Sequence, residues 1–152
     1  MALNSFTPNS TIRSSEVNSN FTNLSDHGRN ITLKWSFGGT LSTVTTTDYL
    51  AVPDDVTWDR SDLVAVTAPV GAAIIVDLER STDGGSTWVT IFTNTANRPQ
   101  IADGSKTGNT TTIDVPAGTG NSHLWRAKIA QVGSTTAGAD LNVFLKGKYN
   151  LD

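Results

Sequence analysis

From Ile31 the chain alternates between apolar and polar positions. Ile31, Leu33, Trp35 and Phe37 sit against Thr32, Lys34 and Ser36, the period of two that marks a strand with one buried face. A turn at Gly38-Gly39, a Thr-rich strand over 41–47 and a short strand over 49–52 closed by Pro53 follow. Asp54-Asp55 opens a turn, with Val56 and Trp58 in a brief strand beyond it. Residues 63–68 read as a central strand, Pro69-Val70-Gly71 as a break and 73–80 as the next strand. Asp83-Gly84-Gly85 is a hairpin signal, because glycine supplies positive φ and aspartate binds backbone N–H groups across a turn. The chain returns over 88–92, is irregular over 93–108, and forms strands over 111–115, 123–132 and 141–149. About nine short strands at this spacing predict an all-β fold. The preferred form is an antiparallel two-sheet sandwich with a jelly-roll-like course, and an immunoglobulin-like sandwich is the alternative.

Ahead of the strands the period changes. Residues 1–14 are polar and extended, with Phe6, Pro8 and Ile12 as anchors. Ser14 or Ser15 can cap a helix and Glu16 suits its first turn. Val17, Phe21 and Leu24 then fall at i, i+4 and i+7, one helical face, and Gly28 stops it. Such a short helix is marginal in water, so it must dock on its own β domain or on a partner. The expected organisation is an attachment segment with one short N-terminal helix over 1–30 and a β domain over 31–152.

At 152 residues the chain can bury a single core. Charged residues are only 16% of it, and Thr, Ser, Asn and Gly supply the polarity. A net charge of -3 with scattered Lys and Arg argues against nucleic acid, which demands a basic patch. The absence of cysteine excludes disulfides, Cys-ligated zinc and a thiol nucleophile. Residues 1–20 have neither a basic start nor an apolar stretch, so no signal peptide is expected there. No apolar run approaches the ~20 residues of a membrane helix, so no membrane insertion is expected. The Asn-X-Ser/Thr sites at Asn9, Asn20, Asn23, Asn30 and Asn109 follow from the composition.

Candidate chemistry is sparse. Residues 81–88, Ser-Thr-Asp-Gly-Gly-Ser-Thr-Trp, match the Asp-box pattern S-x-D-x-G-x-T-W of sialidase-like propellers. A propeller repeats that box in each blade and needs a longer chain, so the match reads as a structural hairpin. Asp54, Asp55, Asp59 and Asp62 gather round a turn without the ligand pattern of a calcium loop. His27 and His123 lack partners at zinc or triad spacing. Trp35, Trp58, Trp88 and Trp125, with Tyr49 and Tyr149, would stack on sugars if several were exposed together. No enzyme activity, cofactor or metal site is expected.

Two stretches resemble proteins of tailed-bacteriophage particles. The run from Phe6 to Leu24 contains Asn9, Ile12, Ser14, Glu16-Val17-Asn18, Asn20-Phe21 and Leu24. It is similar to the N-terminal segments of phage tail-fibre and virion-attached proteins. The second stretch, 50–149, resembles a β-sandwich module of phage fibre, tail and head-surface proteins. Its matching words are Ile75-Val76-Asp77-Leu78, Thr90-Ile91-Phe92, Asn97-Arg98-Pro99-Gln100-Ile101-Ala102 and the run 131–141 from Gln131 to Leu141. The resemblance implies a non-enzymatic virion structural protein, assembled in the bacterial host cytoplasm and displayed on the virion surface as a head decoration or a short tail-fibre knob. Its partners would be capsid, neck or tail proteins. Phe6, Ile12, Val17, Asn18, Asn20, Phe21 and Leu24 would make the attachment. A homotrimer is implied as well, in keeping with β edges that need cover. The alternative is a receptor-binding tip that recognises bacterial surface glycan. No heptads separate the two stretches, which excludes a long fibre shaft.

Overall fold

The computed structural model describes residues 30–46, 48–52, 55–114, 117–118 and 123–150. Apart from Asn30 these belong to the second of two units, Met1–Asn30 and Ile31–Asp152. The expected N-terminal helix, His27 and the attachment residues Phe6, Ile12, Val17, Asn18, Asn20, Phe21 and Leu24 lie outside the described residues.

The described chain is all-β. Its strands are β1 (Asn30–Thr40), β2 (Leu50–Val52), β3 (Val56–Thr67), β4 (Ile74–Ser81), β5 (Val89–Thr90), β6 (Gln100–Ile101), β7 (Thr107–Thr110), β8 (Ala117–Gly118), β9 (His123–Gln131) and β10 (Ala139–Tyr149). They form one sheet in the order β1-β10-β3-β7-β6-β4-β9-β2, with β5 on β4 and β8 on β3. A single 3-10 turn, Thr95–Asn97, is capped by the Asn94 side chain.

The sheet nearly closes on itself, because its two outermost strands are consecutive in the chain. Leu41 N–H donates to Gly138 O just before β10 (3.0 Å), while Thr46 N–H donates to Ala127 O (2.9 Å) and Val44 O accepts from Ile129 N–H (2.7 Å) on β9. The segment after β1 therefore crosses from β10 to β9 before β2 pairs with His123, Leu124 and Trp125. The Thr-rich strand expected over 41–47 is not found in its described residues, 41–46. They form only one bridge, Thr45 to Lys128, because they leave one neighbour before settling on the next.

Alternate residues fill the core. Leu33 and Trp35 of β1, Leu63 and Ala65 of β3, Ile74, Val76 and Leu78 of β4, Trp125, Ala127 and Ile129 of β9, and Leu141, Val143 and Leu145 of β10 are all buried in one cluster. Burying such side chains is the main stabilising term, about 1.5–3 kcal/mol for each large one.

Four further expectations are corrected. The two expected strands at 56–58 and 63–68 are one strand, β3, with a bulge. Lys146 pairs with Arg60 but Gly147 pairs with Trp58, so Asp59 is the extra residue. The bulge reverses the alternation, which moves inward burial from Val56 and Trp58 to Ser61, Leu63 and Ala65. Gly147 makes room for the large ring, since a Cβ there would lie 2.9 Å from Trp58 and 2.4 Å from Thr57 O.

Gly38-Gly39 does not reverse the chain. It lies inside β1, where Gly39 takes a φ of 73° and its N–H donates to Asp140 Oδ1 (2.8 Å). The strand expected over 111–115 is displaced to Thr107–Thr110. Gly108 there lets Gln100 approach so closely that a Cβ would sit 1.8 Å from its carbonyl oxygen. Asp114 instead accepts from Asn94 N–H (2.9 Å) and Asn97 Nδ2 (2.8 Å), tying down the segment that had read as irregular. The return strand shrinks to Val89–Thr90, because Ile91 and Phe92 leave it to enter the core.

Candidate functional site

The alternation that buries Leu141, Val143 and Leu145 turns Asn142, Phe144 and Lys146 outward. Register then sets their neighbours. Phe144 lies opposite Asp62 on β3, and Asp62 lies opposite Asn109 on β7. Asn142 faces Val64, and Val64 faces Thr107. Phe144, Asp62, Asn109, Val64 and Thr107 from these rows line a groove of about 550 Å³, together with Thr32 of β1 and Lys146. The ammonium groups of Lys34 and Lys146 each lie 5.8 Å from the centre of the Phe144 ring. Lys146 Nζ and a guanidinium nitrogen of Arg60 bind the same Asp62 oxygen, Oδ2, at 2.7 and 3.2 Å. Val64 and Val66 are exposed beside it.

The outer face of β4 and β9 is different, because its polar groups are used internally. Asp77 is buried, paired with Arg98 at 2.8 Å and hydrogen-bonded by Thr90 Oγ1. Burial pushes its pKa above the ordinary aspartate value, against the pull of Thr90 and Arg98. Glu79 takes Arg126 at 2.6 Å on one oxygen and Lys128 at 4.0 Å on the other. Arg126 also stacks 4.1 Å over the Trp88 ring, which meets Tyr49 at 5.0 Å.

The Asp-box is a hairpin anchor. Asp83 Oδ1 accepts from Ser81 Oγ (2.7 Å) and Thr87 N–H (2.8 Å), and Oδ2 accepts from Thr87 Oγ1 (2.7 Å). Trp88 Nε1 closes the turn on Gly85 O at 3.0 Å. The Thr87 hydroxyl and N–H, with Ser81, hold the Asp83 pKa down at about 2. These bonds use both Asp83 oxygens within the turn.

The remaining sequence candidates are dispersed. Trp35, Trp58 and Trp125 are in the core, Trp58 and Trp125 meeting edge to face at 5.0 Å. Tyr49 and Trp88 are thus the pair of the six that meets near the surface. His123 opens β9, where burial and the neighbouring Arg80 charge lower its pKa while Asp55 opposes them. Asp55 Oδ1 and His123 Nδ1 are buried without hydrogen-bond partners. Asp62 belongs to the groove and Asp59 to the bulge, and among the described residues no three His, Cys, Asp or Glu come together as metal ligands. No described helix is long and apolar enough to cross a membrane.

Alternation alone does not mark Phe144 and Lys34 as site residues, although a large apolar residue at 144 interrupts the outward polar series Asn142, Lys146, Lys148.

No protein-family profile and no curated protein matches the sequence. Among solved structures, the core of the Drosophila protein NLP, described in terms of pentamer formation and histone binding, is 12% identical. It covers 79% of this chain and 98% of its own, with a TM-score of 0.40. A serine protease of Aeromonas sobria is 8% identical over 87% of this chain and 30% of its own, with a TM-score of 0.35. At these values neither likeness carries a functional argument.

Proposed function

We propose that this chain is a non-enzymatic structural protein of a tailed-phage particle. Its N-terminal segment attaches it, through Phe6, Ile12, Val17, Asn18, Asn20, Phe21 and Leu24, and its β domain is displayed on the head, neck or tail. The nearly closed sheet is read as a two-layer sandwich of jelly-roll-like course, one layer centred on β3 and β10 and the other on β4 and β9. A helix across Val17, Phe21 and Leu24 presents the attachment face, and the displayed form is a homotrimer.

The observation that supports this best is the near closure of the β sheet. One run of chain supplies both outermost strands and bonds first to Gly138 and then to β9. A sheet closed in this way has few open edges, which suits display. The sequence resemblance of 6–24 and 50–149 to virion proteins supplies the setting.

Co-sedimentation with phage particles tests attachment. The wild-type chain is expected to pellet with particles, and Phe21→Ser with Leu24→Ser is expected to stay in the supernatant while its β domain remains folded. Equal pelleting of both would sink the attachment assignment. Light scattering tests the trimer, which a monomeric mass would remove.

A further inference from the structure

We propose that the groove over Phe144 is a binding site for an acidic saccharide, a pyranose chain bearing carboxylates. Particle attachment concerns residues 1–24, so this inference and that one stand or fall separately.

The argument starts from which groups are satisfied. On the β4–β9 face, Asp77, Glu79, Arg98 and Arg126 are all engaged with one another or with Thr90. On the groove face, Lys34 and one oxygen of Asp62 have no such partner among the described residues. Both cations that hold Asp62 use Oδ2, which leaves Oδ1 to accept from an incoming hydroxyl. Asn109 lies directly beside it in register, with an amide that can both donate and accept. Thr32 and Thr107 add hydroxyls at the rim. A sugar ring needs this mixture, because each hydroxyl donates and accepts at once.

The ring faces of a sugar need something else. Their C–H groups pack on an aromatic surface, and Phe144 stands in the same cross-strand row as Asp62 and Asn109. Neighbouring strands are ~4.8 Å apart, so the row spans roughly 10 Å, about the reach of two linked pyranoses. The groove volume is in the range that small ligands occupy. The row sits on paired strands, so it is organised before any ligand arrives.

Charge selects the acidic class. Arg60 and Lys146 at Asp62, with Lys34 beside Phe144, put three cations against one carboxylate in a chain of net charge -3. Lys34 has no carboxylate partner among the described residues, and its ammonium lies 5.8 Å from the centre of the Phe144 ring. A carboxylate on a sugar stacked at Phe144 would meet it. Three cations are too few for a nucleic-acid backbone, whose binding comes from many phosphate contacts.

The test is a titration of the full-length protein, followed by amide NMR and calorimetry, with oligomers of galacturonate, mannuronate, glucuronate and sialic acid, and with neutral maltotriose. At least one acidic oligomer is expected to bind, with shifts centred on Thr32, Lys34, Asp62, Asn109 and Phe144, and maltotriose is expected to bind at least about tenfold more weakly. Lys34→Ala should weaken the acidic oligomer about tenfold, as loss of a charge-assisted bond implies, and Lys34→Arg should restore it. Lys34 is exposed, so this variant keeps its fold; Phe144→Ala, checked by circular dichroism, should also lose binding. The proposal is overturned if no acidic oligomer binds at millimolar concentration, if maltotriose binds as well, or if Lys34→Ala changes nothing. It is equally overturned if the groove amides shift with protein concentration alone, since Val64 and Val66 would then mark a contact between copies of this chain.

Discussion

Asp83 illustrates how much one side chain can organise. Its carboxylate receives three short hydrogen bonds from Ser81 and Thr87, and its pKa falls to about 2 from 3.8. The folded state therefore prefers the ionised form. The stability this contributes is present above about pH 4 and is lost as the pH falls toward 2. Asp83→Asn should be less stable than the wild type at pH 6, and the gap should close as the pH approaches 2. Urea unfolding at a series of pH values measures this, and a gap that does not change with pH would reject the assignment. His123 has the related sign for a base. Its lowered pKa makes the neutral ring the folded form, so acidification through its titration range opposes folding.

The segment between β5 and β6 shows how an element without regular structure is fixed. Its 3-10 turn buries no residue, yet Pro99 O accepts from Val76 N–H at 3.1 Å and Arg98 covers the buried Asp77. Removing one partner of such a pair leaves a charge stranded in low dielectric. Arg98→Ala should cost about 2–4 kcal/mol near neutral pH. Asp77→Asn in the same chain should recover part of it, because the stranded charge is gone. The cost should also shrink in acid, since burial raises the Asp77 pKa and protonation removes the charge. Chemical denaturation of the single and double variants decides this, and equal instability of the two would mean that the ion pair is not the cause.

At the scale of the whole molecule the deciding feature is closure. Thr46 N–H and Val44 O hold the crossing segment to Ala127 and Ile129 of β9. Thr46→Pro removes the donor and leaves the Ala127 carbonyl unpaired, which should cost about 1–2 kcal/mol. It should also speed hydrogen exchange at the Ile129 amide; unchanged exchange there would show that closure does not depend on this bond. The sequence by itself determined the all-β class, because alternation such as Leu33–Trp35 or Leu141–Val143–Leu145 follows from the two-residue repeat of a strand. It also determined the hairpin at Asp83-Gly84-Gly85, whose chemistry is local. Tertiary structure alone decided the rest. The bulge at Asp59 breaks the period that would have joined 56–58 to 63–67, and Gly147 explains it only once Trp58 is beside it. The strand at Thr107–Thr110 depends on Gln100 passing close to Gly108. The groove was legible least of all. Phe144, Asp62 and Asn109 are distant in sequence and become one row only through the register of three strands, which long-range pairing sets.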